Sequence, residues 1–211
     1  EEIMATSTLD FAHRGNELQI ATTMAKPLNF SNCTACGQCL IACPTGALIE
    51  HAQFPEVDAH IHAADHFVVA QFSPAVAVAV SEMLGCKQGI DLSAVIRAVL
   101  ERYGFDMVFE TALGSDILIM EQEKIFREQR PGGKLPLITS SCPAWVQYVE
   151  QYYPDLIPAL SPLKSPQQIL GALLKSWLPE TADLEGKTLV SVVISSCTAA
   201  KNEARRVEMT S

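Results

Sequence analysis

Cys33-Thr34-Ala35-Cys36-Gly37-Gln38-Cys39-Leu40-Ile41-Ala42-Cys43-Pro44 is the stretch on which the architecture turns. Two residues separate each of the first three cysteines, three separate Cys39 from Cys43, and a proline closes the run. Three thiolates at that spacing can wrap one corner of a 4Fe-4S cubane. The fourth, turned away by its proline, reaches a neighbouring cluster. A zinc knuckle or four unrelated thiols would explain neither the spacings nor the proline. Cys33, Cys36 and Cys39 are therefore expected to hold one cluster and Cys43 a second.

The composition agrees. A chain of 211 residues with 48% hydrophobic content can bury a core as one domain or two small ones. A net charge of -9 leaves no electrostatic footprint for nucleic acid and argues against an anionic membrane surface. No apolar run reaches spanning length and no secretory signal opens the sequence, so neither membrane insertion nor export is expected. The cysteine count of 7 is odd, and Cys86, Cys142 and Cys197 lie far apart. That is metal usage in a reducing, cytoplasmic setting rather than a disulfide framework.

Outward from the cysteine run the chain divides in two. Residues 1–65 read as a short, turn-rich, cluster-bearing segment plus a polar linker with room for a short helix. That linker holds His51, His60 and His62, which are expected to be solvated because no ligating cysteine stands beside them. From His66 the pattern changes. Phe67–Phe72 reads as a buried strand, and Pro74 opens a helix to about Leu84. Helices are predicted over 93–103, 112–129, 143–152 and 165–178. Strands are predicted at 107–109, 135–138 and 189–194. Strands alternating with helices imply crossover units, so the fold class is α/β with a mostly parallel sheet over 66–211.

Two of the remaining cysteines then become pointed. Cys142 lies in Thr139-Ser140-Ser141-Cys142-Pro143 and Cys197 in Ser195-Ser196-Cys197-Thr198, each just past a predicted strand. Sites in open α/β sheets form outside the carboxyl ends of strands, and free N–H groups at a helix start stabilise thiolate. On spacing alone the two could be a metal pair, a redox pair or coincidence. Cys86 matches no ligand pattern.

Taken together, these stretches resemble the iron-only (FeFe) hydrogenase family. Ser140-Ser141-Cys142-Pro143-Ala144-Trp145 resembles its first active-site loop. Ser196-Cys197-Thr198-Ala199-Ala200-Lys201-Asn202-Glu203 resembles the second. Phe72-Ser73-Pro74-Ala75-Val76, Tyr152-Tyr153-Pro154 and Lys164-Ser165-Pro166-Gln167-Gln168 support the resemblance, in collinear order. The Cys36–Cys39 run with Cys43-Pro44-Thr45-Gly46-Ala47-Leu48 is similar to the ferredoxin-like domain fused in front.

The resemblance implies an H-cluster, a 4Fe-4S cube bridged by cysteine to a two-iron unit with carbonyl, cyanide and dithiolate ligands. Cys142 and Cys197 would be two of the cube's ligands. The other two belong to a third, glycine-rich loop that the chain does not reach before Ser211. A fragment of a longer protein is therefore expected, its hydrogenase domain incomplete. An earlier cysteine loop would complete the ligands of the Cys33 cluster and supply the partners of Cys43. The implied reaction is reversible reduction of protons to hydrogen, fed by an electron-transfer protein or subunit. A signalling domain and assembly into an oligomer belong to the same expectation.

Several positions depart from the family pattern. The proton-passing cysteine before the first-loop cysteine is Ser141 here. A thiol ionises near pH 8.5, and a serine hydroxyl is a far weaker acid. The next relay, a glutamate in the family, is Gln122, which cannot ionise; Ser161 matches a relay serine. Ser195 replaces a methionine that packs on the two-iron unit. Ala200 replaces a lysine that bonds a cyanide, with Lys201 kept next to it. Pro74 and Gln167 match residues lining the carbonyl and cyanide face. These changes imply a slow, sensory-like site, the alternatives being drift within an active enzyme or an electron-relay or structural subunit with cubanes alone.

Overall fold

The computed structural model describes residues 4–129, 136–182, 184 and 186–209. A three-stranded parallel sheet forms its centre, in the order β4 (Met107–Glu110), β3 (His66–Phe72), β5 (Thr188–Ile194). The middle strand is HFVVAQF, rich in β-branched and aromatic residues and buried from Val68 to Phe72. Such a run suits a parallel strand covered on both faces. It aligns with β5 along its whole length, from His66 opposite Thr188 to Phe72 opposite Ile194.

Two apolar layers cover the sheet. On one face Val68, Ala70, Phe72, Phe105 and Val108 pack beneath Val57 and Ile61 of α2 (Phe54–His62) and Ile96 and Leu100 of α4 (Ser93–Tyr103). On the other, Val69 packs on Leu170, Leu174 and Leu178, which fall on one stripe of α7 (Pro166–Thr181). α5 (Ala112–Gln129) crosses α7 where Gly114 meets Pro166. A Cβ on Gly114 would lie 2.2 Å from the Pro166 carbonyl oxygen, so only glycine permits this approach.

Three helices bordering the site begin alike. α3 (Pro74–Met83), α6 (Pro143–Tyr152) and α7 each carry proline in the first turn, after Ser73, Cys142 and Ser165. Proline's fixed φ sets the helix start and its missing N–H removes a donor that would be unpaired there.

Some expectations are corrected. Residues read as turns contain an antiparallel hairpin, β1 (Leu9–Ala12) with β2 (Gln19–Thr22). The short helix allowed for in the polar linker is α2, but His60 there is half-buried rather than solvated, its Nδ1 3.0 Å from that of His66. Of the strand expected over 135–138, the described residues 136–138 form none. Leu135 lies outside the described residues, and Ile138 makes only an isolated parallel bridge to Leu160. Pro136 has no N–H for a ladder. Cys142 therefore follows an extended turn, not a strand of the sheet. Among the described residues no helix is long and apolar enough to cross a membrane.

Candidate metal centre

The cysteine run folds as a tight loop leading into α1 (Gln38–Ala42). Ala35 and Gly37 adopt left-handed conformations, φ 56° and 78°, and this curls the backbone around the thiols. The Ala35 amide donates to Cys33 Sγ at 3.3 Å. Burial pushes the Cys39 thiol up, and Cys33 and Cys36 beside it push it further, while its own amide and that of Leu40 oppose them. Cys39 thus lies within electrostatic reach of both Cys33 and Cys36. The hydroxyl of Thr34 is buried without a protein partner. Among the described residues no three histidine, cysteine or acidic side chains converge on a single metal ion; the neighbouring thiols, the Ala35 amide and a free buried hydroxyl instead fit the wider iron–sulfur cubane, whose sulfides accept such donors.

Cys43 stands apart from this group. Its Sγ is 3.5 Å from the Thr45 hydroxyl. That contact, with the Leu48 amide next in weight, lowers its pKa to about 7. A thiol already inclined to ionise, facing a separate turn, fits a ligand to a different cluster from that of Cys33, Cys36 and Cys39.

Cys142 is exposed at the start of α6, and Cys197 is half-buried two residues before α8 (Ala199–Glu203). The two helices are fastened together. Arg206, just past α8, makes a forked ion pair with Glu150 of α6, at 2.5 and 3.0 Å, and Asn202 donates to Gln147 at 2.7 Å. A cavity of about 230 Å³ lies between them. Ser140 and Pro143, which flank the Cys142 turn, line it together with Ser161, Ser165, Asn202 and Glu203. The cavity thus adjoins the Cys142 turn and, through Asn202 and Glu203, the helix that follows Cys197, while neither cysteine is among its lining residues.

The turn after β3 approaches the same region. The Ser73 amide donates to the Ile194 carbonyl at 3.1 Å, which sets Ser73-Pro74 beside the Ser195–Cys197 turn. Ser73 Oγ is buried with no protein partner, so a hydroxyl donor stands free beside the second cysteine loop. That fits an acceptor-rich ligand at this end of the sheet.

Of the other expected site residues, Ser161 lines this space, and Ser141, Gln122, Gln167, Ser195, Ala200 and Lys201 are not among its lining residues. Ser161 is buried in the cavity wall, its amide on the Ile138 carbonyl at 2.7 Å. Ser141 is exposed and Gln122 is half-buried on α5. Among the described residues no hydrogen bond joins these three directly. Gln167 turns its amide to Glu203 at 2.9 Å. Ser195 Oγ accepts the Cys197 amide at 3.1 Å, withdrawing that N–H from the helix start. Ala200 is half-buried in α8. Lys201 is drawn outward instead of into the cavity, pairing with Glu50 at 2.6 Å and the His51 carbonyl at 2.7 Å.

Three further residues take roles that the sequence did not announce, although Thr198 and Glu203 stand in the second-loop stretch. Glu203 is buried and accepts from Ser165 at 2.8 Å and from Gln167. Burial raises its pKa, against the hydrogen bonds and Arg206. Thr198 donates to the Ala35 carbonyl, and Gln147 donates to the Cys33 carbonyl at 3.0 Å. These last two bonds press the cluster loop against the helices that follow Cys142 and Cys197.

Comparison with known proteins accords with this geometry. Residues 66–211 match the family described as iron only hydrogenase large subunit, C-terminal domain, and residues 26–49 match a 4Fe-4S binding domain. The NADP-reducing hydrogenase subunit HndD of Solidesulfovibrio fructosivorans is 36% identical over 98% of this chain and 36% of its own length. The cytosolic Fe-S cluster assembly factor NAR1 of Yarrowia lipolytica is 30% identical over 86% of this chain and 38% of its own. Among solved structures, the apo [FeFe]-hydrogenase HydA1 from Chlamydomonas reinhardtii superposes with a TM-score of 0.67 at 35% identity, covering 74% of this chain and 41% of that one. The chain spans little more than a third of the length of these relatives. Its cysteine turns, parallel sheet and leading cluster loop make it a member of the iron-only hydrogenase large-subunit family.

Proposed function

We propose that this chain is the electron-receiving half of a hydrogen-responsive, slowly turning iron-only hydrogenase. The observation that carries the reading is the docking of the Cys33–Cys39 loop, through Ala35 and Cys33, onto Thr198 and Gln147 beside the two later cysteine turns. Electrons from a partner redox protein would enter at the Cys33 loop and pass across that junction. Cys142 and Cys197 would supply two thiolates to an H-cluster cube. The bound iron unit supplies the two-electron interconversion of protons and hydrogen. The chain's own part is to hold and move protons, and here it is weak: Ser141 and Gln122 cannot exchange a proton near neutrality. Ser73 Oγ and Pro74 would face the ligands of the two-iron unit, with Gln167 held on Glu203 behind them.

A second reading has its own support. Lys201 is committed to Glu50, and Ala200 brings no cation in its place, so no lysine of α8 steadies a cyanide. NAR1, a cytosolic Fe-S cluster assembly factor, is among the relatives. On this reading the chain would keep cubanes alone and relay electrons or serve iron–sulfur assembly. Infrared spectroscopy of the full-length protein, matured with the cofactor machinery, separates the two. Carbonyl and cyanide bands that shift under hydrogen support the first. Cubanes that accept electrons with no such bands establish the second.

A further inference from the structure

We propose that Gln147 and Asn202 are positioning residues for electron entry, their paired side-chain amides fixing the Cys33 end of the cluster loop against α6 and α8. The proposal rests on the electron-receiving role above. Gln147 lies five residues after Cys142, and Asn202 five after Cys197. Each therefore sits little more than one turn into the helix that its candidate ligand cysteine precedes.

The bonding between them is directional. Asn202 Nδ2 donates to Gln147 Oε1 at 2.7 Å. With its oxygen so engaged, the Gln147 amide must present Nε2 on its other side, and Nε2 donates to the Cys33 carbonyl at 3.0 Å. Asn202 thus sets the orientation of an amide that it does not share with the cluster loop. A carboxylate at 147 would have the same shape and accept from Asn202, but would turn an oxygen towards the Cys33 carbonyl. A carboxylate at 202 would demand a donor, flip the Gln147 amide and produce the same mismatch from one residue further away. Neither change opens a core: Gln147 is half-buried and Asn202 exposed.

The test uses Gln147→Glu, Asn202→Asp and the wild type in the full-length protein. Two quantities are measured. The first is amide hydrogen exchange over Thr34–Cys36 in the iron-free protein. The second is the magnetic coupling, by pulsed electron paramagnetic resonance, between the reduced cubane of the Cys33 loop and that at Cys142 and Cys197. Loss of one such hydrogen bond should raise the population of the detached loop, and hence the exchange rate, about fivefold. The coupling should weaken in both variants at unchanged iron and sulfide content. Unaltered exchange in both variants overturns the clasp. Faster exchange with unaltered coupling reduces the pair to a structural tie and overturns its positioning role. A wild type that loads no cubane at Cys142 and Cys197 refutes the electron-receiving role, while the exchange data still decide the clasp.

Discussion

Thr198 Oγ1 donates to the Ala35 carbonyl at 2.6 Å, joining the residue after Cys197 to the middle of the cluster loop. Gly37 closes over the same hydroxyl. A Cβ there would come within 2.8 Å of Thr198 Oγ1, and its φ of 78° already lies in the left-handed region. Gly37→Ala should cost about 1–2 kcal/mol for the backbone alone, with more from the contact. Thr198→Ala in the same chain should recover the contact part and leave the backbone part. Chemical denaturation of the single and double variants measures this. Additive losses would show that the two residues do not touch.

Gly114→Ala tests the helix crossing that carries Ser165 and Gln167 to the site. The added methyl would meet the Pro166 carbonyl oxygen at 2.2 Å, which no rotamer change relieves because the obstruction is backbone. Overpacking of this kind costs about 1–3 kcal/mol. The melting temperature should fall, and Gly114→Ser should fare no better. An unchanged melting temperature would mean that the helices part freely at this point.

Glu203 gives the site a pH dependence of definite sign. Burial raises its folded-state pKa above the ordinary carboxylate value, so the folded protein holds its proton more tightly than the unfolded chain. Its contribution to stability is then largest below the ordinary carboxylate range and is lost as pH rises through the raised value. Glu203→Gln, which mimics the protonated form, should stabilise the protein relative to wild type at pH 7 and lose that advantage on acidification. Denaturation midpoints of both proteins across pH give the difference directly. A constant difference at all pH values would contradict the shift.

Ser195 occupies the Cys197 amide. Removing the hydroxyl in Ser195→Ala returns that N–H to the sulfurs of a bound cube. Hydrogen bonds to cluster sulfurs favour the more negative reduced state and raise the potential. A spectroscopically monitored redox titration should show a positive shift of the cube and no shift of the Cys33-loop cubane. Equal shifts of both would mean that the substitution acts on the fold instead of on that amide.

Proton delivery is open to repair. Ser141→Cys together with Gln122→Glu restores two exchangeable protons. General acid–base relays contribute about 10²–10⁴-fold, so hydrogen turnover by the matured full-length protein should rise within that range. An unaltered rate places the slow step elsewhere.

The sequence was readable wherever the physics is local. β3 and α5 follow from runs and periodicity, and the two later cysteine turns from the punctuation around them. The hairpin of β1 and β2 escaped because its strands carry no buried face to alternate against; Phe11 and Ile20 are exposed at 70% and 66%. The strand expected at 135–138 does not form over 136–138 because Pro136 withholds an N–H and Ile138 finds Leu160 instead of the sheet. The bonds made by Gln147, Thr198 and Glu203 were invisible for another reason. Their partners, Cys33, Ala35 and Ser165, lie far away in the chain, and a polar side chain on a half-buried helix announces nothing about what it will meet.

The strand order has a consequence for how the protein is made. β3 pairs with β5 over its full length, although α3 to α7 lie between them in the chain. Non-local parallel pairing is slow, and synthesis delivers the N-terminal residues first. The Cys33–Cys39 loop is therefore exposed and complete well before Thr198 and Asn202 exist to receive it. The loop is thus presented before the surface on which it docks, and closing of β5 becomes the event that brings Thr198 to it.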